Sequence, residues 1–112
     1  MSDCIFCKMV AGEIQPHIVY EDERVLAFRD INPKARVHVL VIPKHHIATL
    51  DDLPEDPSLA GALLGAVQKV AQLEALSEGY RTVINCGKEG GQEVFHLHFH
   101  VLGGRSFAWP PG

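Results

Sequence analysis

Ten residues, 95–104, with the sequence FHLHFHVLGG, constrain this chain more than any others. Apolar residues and histidines alternate strictly from Phe95 to Val101, which is the period of a β-strand and not of a helix. Successive side chains of an extended segment leave opposite faces. His96, His98 and His100 therefore share one side, and Leu97, Phe99 and Val101 take the other, towards a core. Alternate residues lie about 6.6 Å apart along a strand, close enough for neighbouring imidazoles to reach one metal ion or to flank one phosphoryl group. Three imidazoles in register each need a partner or solvent, so a polar strand face that merely happens to carry histidine is the weaker explanation. The pattern by itself leaves open a metal site or a histidine nucleophile with helpers.

The remaining segments supply a sheet and its cover. Asp3 is placed to cap a short helix carrying Ile5, Phe6, Met9 and Val10, with Gly12 as its stop. Residues 18–20 and 25–28 read as two strands joined by the polar turn Glu21-Asp22-Glu23-Arg24. Asp30-Ile31-Asn32-Pro33-Lys34 is loop, because Pro33 keeps Asn32 out of helical backbone. Residues 37–42, VHVLVI, form a β-branched strand whose one polar residue is His38, and Pro43 ends it. Asp56 as N-cap and Pro57 at the first helical position open a long helix. Its apolar face is Leu59, Leu63, Val67, Val70 and Leu73, widened by Leu64 and Leu76 and stopped by Gly79. Residues 80–85 are extended, and Gly87-Lys88-Glu89-Gly90-Gly91-Gln92 leads into the histidine strand. The order α-β-β-β-α-β-β predicts one α+β domain over residues 1–112: a mainly antiparallel five-stranded sheet with one long and one short helix. A chain of 112 residues has room for one core and not for two.

A net charge of −4 argues against a surface built for nucleic acid or anionic membrane. No apolar run approaches a membrane span. The run from Cys4 to Val10 is short and broken by Lys8, so no signal peptide is expected. Three cysteines do not make a disulfide framework, and a reducing cytoplasm is the expected setting.

Three sets of residues carry chemistry. Gly87, Gly90 and Gly91 leave backbone N–H groups open to a phosphate, and beside His98 and His100 that reading gains over a plain hairpin loop. His98 can attack phosphorus if its other ring nitrogen is held by an acceptor. His100 could bind non-bridging oxygens or pass a proton. His38 sits on a strand able to pair beside the histidine strand, and could equally be a core histidine satisfied by one carbonyl. Cys4-x-x-Cys7 with His45-His46 offers two thiolates and two imidazoles, a tetrahedral zinc set. The spacing is not that of a compact finger, so such a set must be assembled across the fold. Two small buried residues on a short helix, or a redox pair lacking its usual parallel βαβ context, are the alternatives.

These segments together resemble the histidine triad (HIT) family. Its signature, His-φ-His-φ-His-φ-φ with φ apolar, is met in full by His96-Leu97-His98-Phe99-His100-Val101-Leu102. The likeness spans nearly the whole chain. Ile5-Phe6, Ala27-Phe28-Arg29-Asp30-Ile31, His38-Val39-Leu40-Val41-Ile42-Pro43-Lys44, Gly90-Gly91-Gln92-Glu93-Val94 and Trp109-Pro110-Pro111-Gly112 are similar to segments of the Hint branch, the purine nucleoside phosphoramidases. The resemblance implies a HIT-like fold and a homodimer whose sheet continues across the interface. It implies hydrolysis of the P–N bond of adenosine or guanosine 5′-phosphoramidates through a nucleotidyl-histidine, releasing AMP or GMP and an amine.

By the same resemblance His98 is the nucleophile, and His38 and His100 hold the phosphate. Asn85, Gln92 and Val94 line the phosphate site, and Asp30 accepts the ribose hydroxyls. Ile5, Phe6, Phe28, Ile31 and Leu40 form an apolar purine slot. Glu93 stands at the leaving-group position, where animal members carry serine and bacterial members often carry glutamate. Trp109 belongs to a tail that lies near the partner's site. Cys4, Cys7, His46 and His96 match positions that bind zinc in some members, although many Hint proteins lack both cysteines. Catalysis then requires no cofactor, and a zinc ion would be structural. A dinucleoside polyphosphate hydrolase and a non-catalytic nucleotide- or zinc-binding adaptor are the competing readings. The Trp-Pro-Pro-Gly and Gly-Gly-Gln-Glu-Val segments favour the phosphoramidase.

Overall fold

Five antiparallel strands form one sheet in the computed structural model, which describes residues 3–112. They are β1 (Ile18–Glu21), β2 (Val25–Arg29), β3 (Val37–Pro43), β4 (Tyr80–Ile84) and β5 (Phe99–Gly103), in the spatial order β1-β2-β3-β5-β4. Helix α1 spans Ile5–Val10, and the long helix α2 spans Ser58–Leu73. This is the α+β arrangement expected, with a short 3-10 turn at Leu50–Asp52 in addition. No helix among the described residues is long and apolar enough to cross a membrane.

Each face of the sheet has its own cover. β3 lies at the centre and is buried along its whole length, which its β-branched composition suits. Its odd positions Val37, Val39 and Val41 join Val25, Ala27, Leu97, Phe99 and Val101 under α2, against Leu59, Leu63, Ala66, Val67, Val70 and Ala71. Leu40 and Ile42, on the even positions, join Leu26 and Phe28 on the other face, where they pack with Phe6 of α1. α1 is far shorter than α2, so much of this second face is left open. The β1–β2 turn is held by Asp22, whose Oδ1 accepts the N–H groups of Arg24 and Val25 at 2.9 Å each.

Several local expectations are corrected. Cys4, not Asp3, caps α1: its Sγ accepts the Cys7 N–H at 3.4 Å, because the helix starts one residue later than expected. Pro57 takes the cap position of α2, and Asp56 serves from one residue further out, its Oδ1 accepting the Ser58 N–H at 2.9 Å. Leu64 and Leu73 are each 55% exposed, and the alanines 66 and 71 fill the core face in their place, which lets α2 approach the sheet closely. The histidine strand enters its ladder only at Phe99. Residues 95–98 precede the paired strand, and the Leu97 N–H turns to the Ile47 carbonyl at 2.7 Å.

α2 also stops well before Gly79. Ala75 adopts a left-handed φ of 57°. Its N–H returns to the Gln72 carbonyl at 3.1 Å, and the Leu76 N–H returns to the Ala71 carbonyl at 3.0 Å. This is a Schellman closure with Leu76 folded back onto the core, over Gly103 of β5. Alanine carries a steric cost at such a backbone that glycine does not, about 1 kcal/mol. Ala75→Gly is therefore expected to raise stability by ~0.5–1 kcal/mol in urea unfolding, despite the added flexibility of the unfolded chain. A destabilised variant would show that the closure carries no strain.

Candidate active site

The open face holds a cavity of about 770 Å³. α1 contributes Ile5, Phe6 and Met9; β2 and the loop after it contribute Phe28, Asp30 and Ile31; β3 contributes Leu40. Asn85 follows β4, Glu93 and Val94 precede the histidine segment, and His98 and His100 complete the lining. The lining is mostly apolar, with Asp30, Glu93, His98 and His100 among its polar groups. Met9 was not anticipated, although it sits one turn from Ile5 and Phe6 on the same helix face. His17, from the loop before β1, also lines the cavity, and no motif in the sequence marks it.

Three expected residues stand apart from this cavity: Gln92, Trp109 and His38, which is buried and meets the site through His100. Gln92 is buried, and its amide is committed to the loop: Oε1 accepts the Gly87 N–H at 2.9 Å, and Nε2 donates to the carbonyls of Ala48 and Val94 at 2.8 and 3.0 Å. Its work is to hold the glycine-rich loop in shape. Trp109 is 81% exposed and does not line the cavity of its own chain.

The backbone sets the tautomer of each buried histidine. The Lys34 N–H donates to His38 Nδ1 at 3.0 Å, so the ring proton of neutral His38 is on Nε2. That nitrogen lies 2.9 Å from His100 Nδ1 and 3.5 Å from Asp30 Oδ2. His100 accepts through Nδ1 and carries its own proton on Nε2. This nitrogen is buried and has no hydrogen-bond partner among the described residues. His98 donates from Nδ1 to the His96 carbonyl at 2.8 Å, which leaves a lone pair on Nε2. The result is a nucleophilic nitrogen beside an unpartnered N–H donor, with ring centroids 5.0 Å apart.

Burial favours the neutral form of His100 and of His38. It lowers the His100 pKa to about 4, with further contributions from His98 and His38. It lowers that of His38 as well, against the opposing pull of the Asp30 carboxylate. Asp30, His38 and His100 converge closely enough to suggest a metal, but the proton on His38 Nε2 makes the group a hydrogen-bond relay instead.

A second cluster lies at the N-terminal end of α1. One ligand atom from each of Cys4, Cys7, His46 and His96 falls within 4.8 Å of the others. His96 Nδ1 is 3.3 Å from Cys4 Sγ and 3.5 Å from Cys7 Sγ, and His46 Nδ1 is 3.2 Å from Cys7 Sγ. His96 Nε2 donates to the Pro43 carbonyl at 2.9 Å, so its Nδ1 lone pair faces the two thiols. Two thiols and two imidazoles in this orientation fit a zinc ion. His45 is exposed and lies outside the cluster.

The HIT domain matches residues 11–107 of the chain. An uncharacterized HIT-like protein of Synechococcus elongatus is 58% identical over 111 residues, covering 98% of this chain and 97% of its own. The crystal structure of a HIT family hydrolase from Legionella pneumophila superposes with a TM-score of 0.94 at 51% identity, covering 98% of this chain and all of that one (100%). A histidine triad nucleotide-binding protein from Candida albicans superposes with a TM-score of 0.84 at 36% identity, over 96% of this chain and 83% of its own.

The depressed pKa of His100 makes stability depend on pH. Between its folded value of about 4 and its ordinary 6.5, the unfolded chain holds a proton on this ring that the folded chain does not. Stability therefore rises with pH through that window and is lost as pH falls, and His38 acts in the same direction. The Tm is expected to drop between pH 6.5 and 4, with a shallower slope for His100→Asn. Equal slopes for the two proteins would remove His100 as the cause.

Proposed function

The chain belongs to the HIT domain family, and from that premise we propose that it is a hydrolase cleaving the P–N bond of purine nucleoside 5′-phosphoramidates. One observation carries the reading. His98 Nε2 presents a lone pair to a largely apolar cavity, next to the buried, unpartnered N–H of His100. The likeness to a HIT family hydrolase and to a nucleotide-binding protein of the same family supports it.

A flat base fits against the apolar lining made by Ile5, Phe6, Met9, Phe28, Ile31 and Leu40. The ribose hydroxyls meet Asp30, whose carboxylate can accept from both. The phosphorus then stands before His98. Nε2 attacks, and the positive charge that grows on the ring is stabilised through the Nδ1–H bond to the His96 carbonyl. The His100 Nε2–H stabilises the oxygens as they gain negative charge. At neutral pH this ring is uncharged, so it acts first as a hydrogen-bond donor. The P–N bond breaks and the departing nitrogen takes up a proton from solvent, relayed through His100 or Glu93 at the edge of the cavity. Water then attacks the nucleotidyl-histidine, releasing the monophosphate and restoring His98. No cofactor enters this sequence.

Cys4, Cys7, His46 and His96 are proposed to hold one structural zinc ion. When bound it would tie α1 to the histidine segment, and four protein ligands leave no open position for substrate.

A homodimer is proposed from what the chain leaves uncovered. β4 is an edge strand. Leu64 and Leu73 are exposed on α2, and Trp109 projects away from its own cavity. The tail is directed rather than loose: Arg81 donates to the Ala108 carbonyl at 2.9 Å, and the guanidinium groups of Arg81 and Arg105 stack on the Phe107 ring at 5.2 and 4.2 Å. Sedimentation at micromolar concentration should give twice the chain mass, and removing residues 106–112 should alter substrate preference more than Tm. A strictly monomeric mass would sink the dimer.

His98→Ala should lower kcat on an adenosine phosphoramidate by at least ~10⁴-fold, the scale on which loss of a nucleophile is felt, while AMP binding largely persists. Rapid quench of the wild type with labelled substrate should trap an acid-labile, base-stable nucleotidyl adduct, absent from His98→Ala. Diadenosine polyphosphates tested alongside should be poorer substrates. Near-normal turnover by His98→Ala, or an adduct on another residue, would overturn the mechanism.

A further inference from the structure

Helix α1 does two things at once. Ile5, Phe6 and Met9 make one wall of the cavity, and the same short segment carries Cys4 and Cys7. The two cysteines bracket Ile5 and Phe6. The rest of its attachment is the packing of Phe6, Met9 and Val10 on the second core. α1 has six residues, against the roughly 12–15 at which an isolated helix becomes even marginally stable. Phe6 is the one residue of α1 that is buried, and Ile5 is 43% exposed.

The other half of the cluster belongs to a part of the fold that stands without α1. His96 is fully buried and its ring is tied to the Pro43 carbonyl. The next residue, Leu97, is tied to Ile47, and β5 begins two residues further on. The nucleophile takes its hydrogen-bonded orientation from this side, because His98 is held by the His96 backbone, while Phe6 of α1 meets its ring only edge-on, at 5.3 Å between centroids. Asp30 and His100 are likewise carried by the β2–β3 connection and β5, within the main sheet. The cavity thus has a fixed floor bearing Asp30, His98 and His100, and one wall hung in part from a thiol–imidazole cluster.

We infer that Cys4, Cys7, His46 and His96 form a clasp that positions this wall, so that metal occupancy sets affinity for the purine base and is not needed for chemistry at His98. The inference rests on the cavity being a purine nucleotide site and on the cluster holding zinc. Without the ion, α1 keeps the buried Phe6 and the partial packing of Met9 and Val10 on the same core, together with sulfur–nitrogen contacts of 3.2–3.5 Å, which are weak hydrogen bonds. A nucleotide binding only the docked wall then sees its apparent Kd rise in inverse proportion to the docked fraction. A ligand that needs only the floor sees no change.

AMP and ribose 5-phosphate separate the two, since the second lacks the base. Calorimetry would compare zinc-loaded full-length protein, the same protein stripped by a chelator, and stripped protein given zinc again. Stripping should weaken AMP about 10-fold, the value for a docked fraction of about one tenth, and one equivalent of zinc should restore it. Ribose 5-phosphate should change less than twofold, and kcat of the stripped wild type at saturating substrate less than threefold. Amide exchange should quicken in residues 5–10 and not in α2. Cys4→Ala with Cys7→Ala should bind AMP as weakly as stripped protein and ignore added zinc. An AMP affinity indifferent to stripping would overturn the clasp, and so would equal losses for both ligands, which would mean general loosening. Zinc-loaded protein that fails to bind AMP would instead refute the functional reading, and protein that takes up no zinc would refute the metal assignment; the clasp falls with either.

Discussion

The register between β3 and β5 is the constraint on which the site depends. It sets Leu40 opposite His100 and His38 opposite Leu102. With side chains alternating, this places both imidazoles on the face away from α2 and sends Val39, Val41, Phe99 and Val101 beneath it. A slip of one residue would turn the histidines into the α2 core and the valines into the cavity. The slip is opposed by every apolar contact with α2, each buried Val or Leu being worth about 1.5–3 kcal/mol. The large core on one face thus fixes the small polar site on the other, and α2 serves the chemistry although it contributes no residue to it.

Backbone groups complete what the register begins. Pro43, Lys34 and His96 each offer one main-chain group to a histidine ring, and those three bonds decide which nitrogen of His96, His38 and His98 bears the proton. His38 passes the decision on to His100. In water a neutral imidazole exchanges between tautomers. Here one tautomer is held at each ring, and burial disfavours charge on His38, His96 and His100. The neutral state of His100 that costs stability at low pH is also what leaves its Nδ1 able to accept from His38.

Much of this could be read from residue types, and the part that could not is mostly backbone. The alternation in residues 95–101 declared the two faces, and the β-branched run at 37–42 declared the central strand. The positions Cys4, Cys7, His46 and His96 were singled out through a family pattern, and they do converge. Local geometry was less legible. Cys4 caps α1 because a thiol can accept a hydrogen bond, though serine, threonine, asparagine and aspartate are the usual markers. Ala75 closes α2 in a conformation that normally advertises itself with glycine. Gln92 looked like a ligand of phosphate and is a loop brace, since an amide with two donors and an acceptor can satisfy buried backbone as readily as it can bind substrate. The carbonyls and amides that orient the histidines carry no signature in any sequence.

The three histidines of the alternating segment share a side and yet divide between two sites, and the reason is where the ladder ends. β3 finishes at Pro43, so His98 and His100 stand over the open face of the sheet while His96 lies past its edge, against the N-terminal end of α1. A proline at that edge is apt: it brings no N–H to the ladder but leaves its carbonyl to take the proton of His96. The direction of the lone pair then separates the roles. On His96 it points from Nδ1 towards two thiols, which suits a metal. On His98 the proton sits on Nδ1 and the lone pair on Nε2, which suits attack. The peptide carbonyl of the first ring is what holds the second, so the thiol–imidazole cluster and the proposed nucleophile meet at one residue while using different atoms of it. A substitution at His96 that spares the backbone would disturb the thiol cluster first. Displacing its carbonyl would reach His98 directly.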